Sequence, residues 1–306
     1  MSDEEAGAPD QTGRAGRASL TADYLKEWAK NALMGVPTVR NARLARPRAG
    51  AAFDGDDALL RRYAFQSLEL LDRYVGGVAG KSVVEIGAGD TLSSGLALLA
   101  AGATRYVDID RFAGDYAGES AKGWYRAIES AWPRLVPARP WPAPLRAADF
   151  PEAYPDLAEV IRLPIEAAST RESFDVVCSF QVGEHISDLQ SFAESTRRLL
   201  KPGGAALHRV DFGPHDVWSL YQDPLVFLRF SDSVWQRTGS NRGVPNRFRH
   251  HEFVAAFEAH GLRVEVVEAE PFDLDASDLA ALHPRFRAMP RDSLAVRSAI
   301  YVLRPA

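Results

Sequence analysis

Val83-Val84-Glu85-Ile86-Gly87-Ala88-Gly89-Asp90-Thr91 reads as a buried strand that ends in a glycine turn and opens a helix. Two β-branched residues, an acid and Ile86 suit a parallel strand covered on both faces. Gly87 and Gly89 let the backbone turn sharply and approach a ligand. Leu92 to Ala101 then supplies an apolar helix. In open α/β sheets, nucleotide-like ligands bind at such strand–turn–helix junctions, at the carboxyl ends of the strands. Gly87-Ala88-Gly89 invites a dinucleotide reading, but that fingerprint needs a third glycine at position 92, which is leucine.

Outward from this stretch, strands and helices alternate. Gly102-Ala103 breaks the chain before a second strand, Arg105 to Asp110, which ends in Asp108 and Asp110. A short third strand is expected at Val160 to Leu163. Phe174 to Phe180 forms a fourth, an almost unbroken apolar run typical of a central parallel strand. Gln181-Val182-Gly183-Glu184-His185 follows it. Asp188 caps a helix from Leu189 to Leu200, which Lys201-Pro202-Gly203-Gly204 terminates. Ala205 to Phe212 is a fifth strand. After a helix from His251 to His260, Leu262 to Val267 and Ala295 to Leu303 are the last two. The alternation predicts one doubly wound, Rossmann-like α/β domain with a mostly parallel sheet.

On the amino-terminal side, residues 1 to 19 lack apolar period and are expected to be a disordered tail. Residues 20 to 80 read as a helical cap. Its first helix, from Thr21 to about Met34, carries Tyr24, Leu25, Trp28, Ala32 and Leu33 roughly on one face, and Gly35 and Pro37 stop it. The basic run Arg40, Arg43, Arg46, Arg48 is either a solvated loop or a lid for an anionic substrate group. A second helix is expected from Asp56 or Asp57 to about Tyr74. The main domain, 81 to 306, holds two insertions, about 111–157 and 213–249. The first has a helix near Glu119 to Ser130 and a Pro/Trp-rich stretch, which either shapes a pocket or fills space. The aromatics of the second read either as a small core of their own or as a platform for substrate.

Composition bounds the function. The 306 residues are 46% apolar and 25% charged, ordinary for a globular protein. A net charge of −5 gives no general basic field, so no nucleic-acid partner is expected. The single cysteine, Cys178, excludes an intrachain disulfide framework and any multi-cysteine metal site. The acidic start lacks the pattern of a signal peptide, and the longest apolar stretch is too short to span a bilayer. A cytoplasmic protein without a membrane partner is expected; the oligomeric state is not readable.

The wider pattern is more specific than the glycines. Val-Val-Glu-Ile-Gly-Ala-Gly-Asp-Thr, the acids at 108 and 110, Ser-Phe-Asp-Val-Val-Cys-Ser, Glu184-His185 and Leu-Leu-Lys-Pro-Gly-Gly stand in one order at suitable spacings. The chain thereby resembles the class I S-adenosylmethionine-dependent methyltransferases over roughly residues 80 to 212, and Phe257 to Leu262 is similar to that family's last helix and strand. The resemblance implies S-adenosylmethionine as cofactor, which has no phosphate and does not need the third glycine. It places Gly87, Ala88 and Gly89 against the methionine and ribose portion. Asp110, or Asp108, would accept from the ribose hydroxyls, and Ile165 and Glu166 would touch adenine. Phe180 at the end of the fourth strand joins this set, as does Asp90 by backbone proximity. Glu85 would face the ammonium end, or else make a structural hydrogen bond beneath the loop.

Methyl transfer is an in-line displacement in which positioning matters most. A hydroxyl acceptor needs a base, an amine only has to arrive neutral. His185, in a Glu-His pair typical of the family, is the expected base. His208 and Asp211 on strand five and His215 beyond it add titratable groups at neighbouring strand ends. This group is similar to that of small-RNA 2′-O-methyltransferases, which bind a divalent metal through Glu-x-x-Glu-His and a later histidine. Either Glu184, His185, His208 and Asp211 form a substrate-bonding and base cluster, or Glu184, His185 and His208 hold a metal such as Mg²⁺, although Gln181 replaces the first Glu. His-x-x-Asp-x-x-x-His and the Asn-Arg-x-Arg-type stretch also resemble bacterial methyltransferases of polysaccharide and secondary-metabolite pathways. They make His215, Asn241 and Arg247 candidates for acceptor contact. The expected activity is O-methylation of a sugar-like, glycan or natural-product acceptor. The alternatives are N-methylation of a small amine, a non-catalytic S-adenosylmethionine-binding subunit, and an NAD-dependent oxidoreductase, which Leu92 disfavours.

Overall fold

A computed structural model describes residues 17–44, 55–168, 173–214, 225–239, 241 and 245–306. Its centre is a seven-stranded sheet of β1 (Ser82–Ile86), β2 (Arg105–Ile109), β3 (Ala158–Ile161), β4 (Phe174–Phe180), β5 (Leu200–Asp211), β6 (Leu262–Pro271) and β7 (Val296–Pro305), in the order β3-β2-β1-β4-β5-β7-β6. β3, β2, β1, β4 and β5 pair in parallel, and β7 runs antiparallel between β5 and β6. The strand order reverses between β1 and β4, so their carboxyl ends flank the crevice where such sheets bind ligands.

The helices around the sheet include α1 (Arg17–Met34), α2 (Pro37–Leu44), α3 (Asp57–Leu60), α4 (Gln66–Val75), α5 (Ser93–Ala100), α6 (Glu119–Leu135), α7 (Leu189–Leu199), α8 (Asp232–Gly239) and α9 (His250–Ala259), with a π-turn, Arg61–Phe65, joining α3 to α4. Strand alternation sorts the core into two layers. Val83, Val176 and Cys178 face the layer of α4, α5 and α6, whereas Val84, Val177 and Ala206 face that of α7 and α9. Glu85 shares Val83's side of β1 and is buried.

Several expectations change. Of the expected tail, residues 1–16 lie outside the described residues, but Arg17 to Ser19 form the first turn of α1. Pro37 does not only end α1. It also opens α2, because its fixed φ and missing N–H suit a first helical position. Arg40 and Arg43 therefore sit on a helix, and Arg46 and Arg48 lie outside the described residues. The Pro/Trp-rich stretch is mainly packing: Trp132 and Trp141 meet edge-on at 5.3 Å, and their indole N–H groups donate to the carbonyls of Arg139 and Leu145. In the second insertion, Leu225, Phe227 and Trp235 build a separate apolar cluster with Phe286 and Leu294. Lys201 to Gly204 belong to β5 rather than to the end of α7.

Candidate active site

Both cradle glycines adopt the left-handed conformation, Gly87 at φ +76° and Gly89 at φ +83°. A side chain is disfavoured there, and on Gly87 a Cβ would lie 2.7 Å from Val182 Cγ2. Buried acids hold the loop from below. Asp108 accepts from the Ala88 N–H at 3.1 Å and the Tyr116 hydroxyl at 2.9 Å. Asp110 accepts from Gly89 N–H at 3.0 Å and Phe112 N–H at 2.6 Å. Glu85 accepts from Tyr106 at 2.6 Å and from Ser94 Oγ. Burial among neighbouring acids raises Asp108 to about 8, against its hydrogen bonds, and burial likewise raises Glu85. Asp108 is therefore largely a neutral acid at neutral pH.

Two cavities open over this loop and meet at Gly87 and Val182, which line both. The larger, about 280 Å³, is bordered by Glu85, Asp90, Phe180 and Gln181, with Arg62, Tyr63 and Gln66 from the helical segment around the π-turn. The smaller, about 160 Å³, is bordered by Asp110, Phe112, Ile165, Glu166 and His185. A wider depression, about 700 Å³, near Phe272, Asp278 and Arg291, lies where the chain passes from β6 to β7 and contains none of these groups. Gln181 is the one described non-glycine residue at positive φ, +60°, and its N–H bonds the Arg209 carbonyl at 2.9 Å. Backbone conformations of this kind cluster at ligand sites.

Matched against families of known proteins, the sequence fits the one described as Methyltransferase domain over residues 59–267. The chain belongs to the class I S-adenosylmethionine-dependent methyltransferases. Among solved structures it is similar to an S-adenosylmethionine-dependent methyltransferase of Mesorhizobium loti (14% identity, 77% of this chain and 96% of that one, TM-score 0.42). It is also similar to the N-methyltransferase NodS of Bradyrhizobium japonicum WM9 (15%, 82% and 98%, TM-score 0.39) and to geranyl diphosphate C-methyltransferase of Streptomyces coelicolor A3(2) (12%, 85% and 88%, TM-score 0.46). No curated protein sequence matches it. The methyltransferase's cofactor is S-adenosylmethionine, and the cradle suits it: two left-handed glycines bring bare backbone to the cavities, and acids line both halves for a ligand with a sulfonium and an ammonium charge.

The structure separates the histidine–acid cluster that the sequence had joined. His208 is fully enclosed between α7 and α9. Its ring nitrogens bond Ser179 Oγ at 2.7 Å and Thr196 Oγ1 at 3.1 Å, and its ring stacks on Phe257. Burial lowers its pKa to about 3, so it is neutral. It is a core residue of the methyltransferase, neither base nor metal ligand. Among the described residues no group of three His, Cys, Asp or Glu is placed to hold a metal ion, so the Glu184–His185–His208 site is not formed. Glu184 is buried beneath the turn. Asp211 accepts from the Gly213 N–H at 2.8 Å, turning the chain out of β5. His215 lies outside the described residues.

The two described acceptor candidates of the second insertion, Arg247 and Asn241, make structural contacts. Arg247 is buried, donates to the carbonyls of Phe227 and Phe230 and to Asp232, and lies over the Phe286 ring. Asn241 grips α1: its N–H donates to Asn31 Oδ1 at 2.9 Å and its side-chain amide to the Asn31 carbonyl at 3.2 Å. Between them, Asn246 was missed. Its side-chain amide donates to the carbonyls of Gly183 at 2.8 Å and Ile186 at 3.1 Å, and its N–H to the Glu184 carbonyl. It thereby clamps the turn that carries His185. Arg62, Tyr63, Gln66 and Tyr116 also went unread, since only folding brings the cap helix and the loop after β2 to the glycine turn.

Proposed function

We propose that this methyltransferase moves the methyl group of S-adenosylmethionine to a hydroxyl of a small molecule, with a sugar-like or natural-product acceptor and with His185 as proton acceptor. The observation that carries the reading is the junction at Gly87 and Val182. A ligand whose adenosine and methionine halves occupy the two cavities has its sulfonium at their meeting point. His185 stands one turn beyond Val182, its N–H bonded to the Val182 carbonyl at 2.8 Å, and borders the smaller cavity.

S-adenosylmethionine supplies a methyl group activated by positive sulfur. The chain supplies placement. Asp110 uses each carboxylate oxygen once on a backbone N–H and keeps lone pairs for two ribose hydroxyls. Ile165 and Phe112 give apolar walls for adenine, with Glu166 beside them. Asp90 and Glu85 favour the ammonium end. Arg62, the one cation lining the larger cavity among the described residues, suits the carboxylate end. Gly87 and Gly89 admit the ligand, and Ala88 between them is held on Asp108. His185 accepts the hydroxyl proton as the oxygen attacks, which an imidazole can do near neutral pH.

The test is a methyl-transfer screen over hydroxylated and amine acceptors, read by S-adenosylhomocysteine formation, with His185→Ala alongside. Turnover on a hydroxylated acceptor that falls about 100-fold or more in the variant, with cofactor affinity kept, supports the base. Turnover on amines only, or an unchanged rate in His185→Ala, removes it.

A further inference from the structure

We propose that α1 and α2 form a docking surface for an anionic lipid bilayer, lying on its interface rather than crossing it. α1 is built inside out. Its contact stripe is Tyr24, Glu27, Asn31 and Met34, with Asn31 donating to the Arg237 carbonyl of α8 at 2.9 Å and held in turn by Asn241. The large apolar residues face the other way. Leu25, Trp28, Leu33 and, just past the helix, Val36 are between 45% and 56% exposed. They make up half of the exposed large hydrophobic residues among those described, within twelve positions. A helix normally turns its apolar stripe to the core and its polar residues to water. Here Leu25, Trp28 and Leu33 face outward while Tyr24, expected on their face, turns in to the contact stripe, because polar anchors fix the helix to α8.

Charge identifies the occupant. Residues 17 to 44 carry Arg17, Lys26, Lys30, Arg40 and Arg43 against Asp23 and Glu27, a net of +3, in a chain whose total is −5. Lys26 is exposed beside the Leu25–Trp28 face. An apolar face with a tryptophan in a sequence segment rich in lysine and arginine is the pattern of helices that lie in a bilayer interface. A twofold contact with a second copy would set this cationic segment against itself, whereas an anionic leaflet neutralises it. Among the described residues no helix is long and apolar enough to cross a membrane.

The test is co-sedimentation of the full chain with vesicles of phosphatidylcholine alone and of phosphatidylcholine with phosphatidylglycerol. Binding is expected to the anionic vesicles, weakened by salt. Leu25→Ser/Trp28→Ser should abolish it without moving the thermal midpoint, since both side chains are exposed. Lys26→Glu keeps the apolar face and should weaken binding by about five-fold or more, from the loss of at least one basic contact. Failure to bind anionic vesicles, equal binding to both compositions, or a dimer in sedimentation that Leu25→Ser/Trp28→Ser dissociates would each overturn the proposal.

Discussion

Val182 fills the space that any side chain on Gly87 would need: a Cβ there would lie 2.7 Å from Val182 Cγ2. The two residues come from the turns after β1 and after β4, the pair of strands between which the sheet order reverses. Gly87→Ala therefore incurs two penalties, a left-handed conformation at about 1–2 kcal/mol and the collision with Val182. Cofactor affinity should fall at least about ten-fold, with a lower thermal midpoint. Val182→Ala added to Gly87→Ala should restore part of the midpoint, because it relieves the collision and not the φ angle. Wild-type affinity in Gly87→Ala would show that the close approach is unimportant.

Asp108, beneath the cradle loop, should make cofactor binding depend on pH. With its carboxyl raised to about 8, the cofactor-free protein holds this proton at neutral pH. That raised value also means the free protein loses stability as pH rises from the ordinary carboxyl range toward 8. A cationic ligand favours the ionised acid. Affinity for S-adenosylmethionine should rise between pH 6 and 8, more steeply than for S-adenosylhomocysteine, which lacks the sulfonium charge. Asp108→Asn should flatten the slope. Parallel slopes for both ligands, unchanged in the variant, would remove Asp108 from the linkage.

His208 acts on stability instead of turnover. Its folded pKa is about 3 and the ordinary histidine value is 6.5, so only the unfolded chain takes a proton between these limits. Its contribution is complete above the ordinary value and is lost as pH falls toward 3. His208→Gln should reduce the acid loss of stability seen in urea melts at pH 7 and pH 5. Its folded fraction should keep wild-type kcat. His208→Ala should cost about 2–4 kcal/mol, since it opens a cavity and strands Ser179 and Thr196. A large drop in kcat with no change in stability would return His208 to the site.

Asn246 should position His185 without touching the reactants. Asn246→Ala loses the donor to the Gly183 and Ile186 carbonyls. With the turn loosened, kcat should fall about ten-fold or more, at near-constant cofactor affinity. Asn246→Asp keeps the shape but offers no donor, so it should not rescue the rate. Equal rates in wild type and both variants would separate the turn from the chemistry.

The sheet was legible because its strands are runs of β-branched and apolar residues bounded by turns. β4 is the expected Phe174 to Phe180, and the glycine turn, Asp110, Ile165 and Glu166 all line the two cavities, whereas Asp108 lies buried beneath the loop and borders neither. What failed was direction and depth. Periodicity grouped Leu25, Trp28 and Leu33 on one face of α1 but not whether that face meets the core, which Asn31 and Asn241 decide from 210 residues apart. Neighbouring strand ends grouped His208 with His185. Only α7 and α9, through Phe192 and Phe257, seal it away. The π-turn that brings Arg62 and Tyr63 to the cavity and the left-handed Gln181 have no marker in residue type.

The central claim is that the loop from Glu85 to Thr91 cradles S-adenosylmethionine against Asp110. Calorimetric titration of the protein with S-adenosylmethionine, S-adenosylhomocysteine and NAD, repeated on Asp110→Asn, tests it most directly. The account predicts one site for each of the first two ligands, no binding of NAD, and at least about ten-fold weaker binding in the variant, from lost charge-assisted hydrogen bonds to ribose. Tight binding of NAD without S-adenosylmethionine, or full affinity in Asp110→Asn, would contradict it.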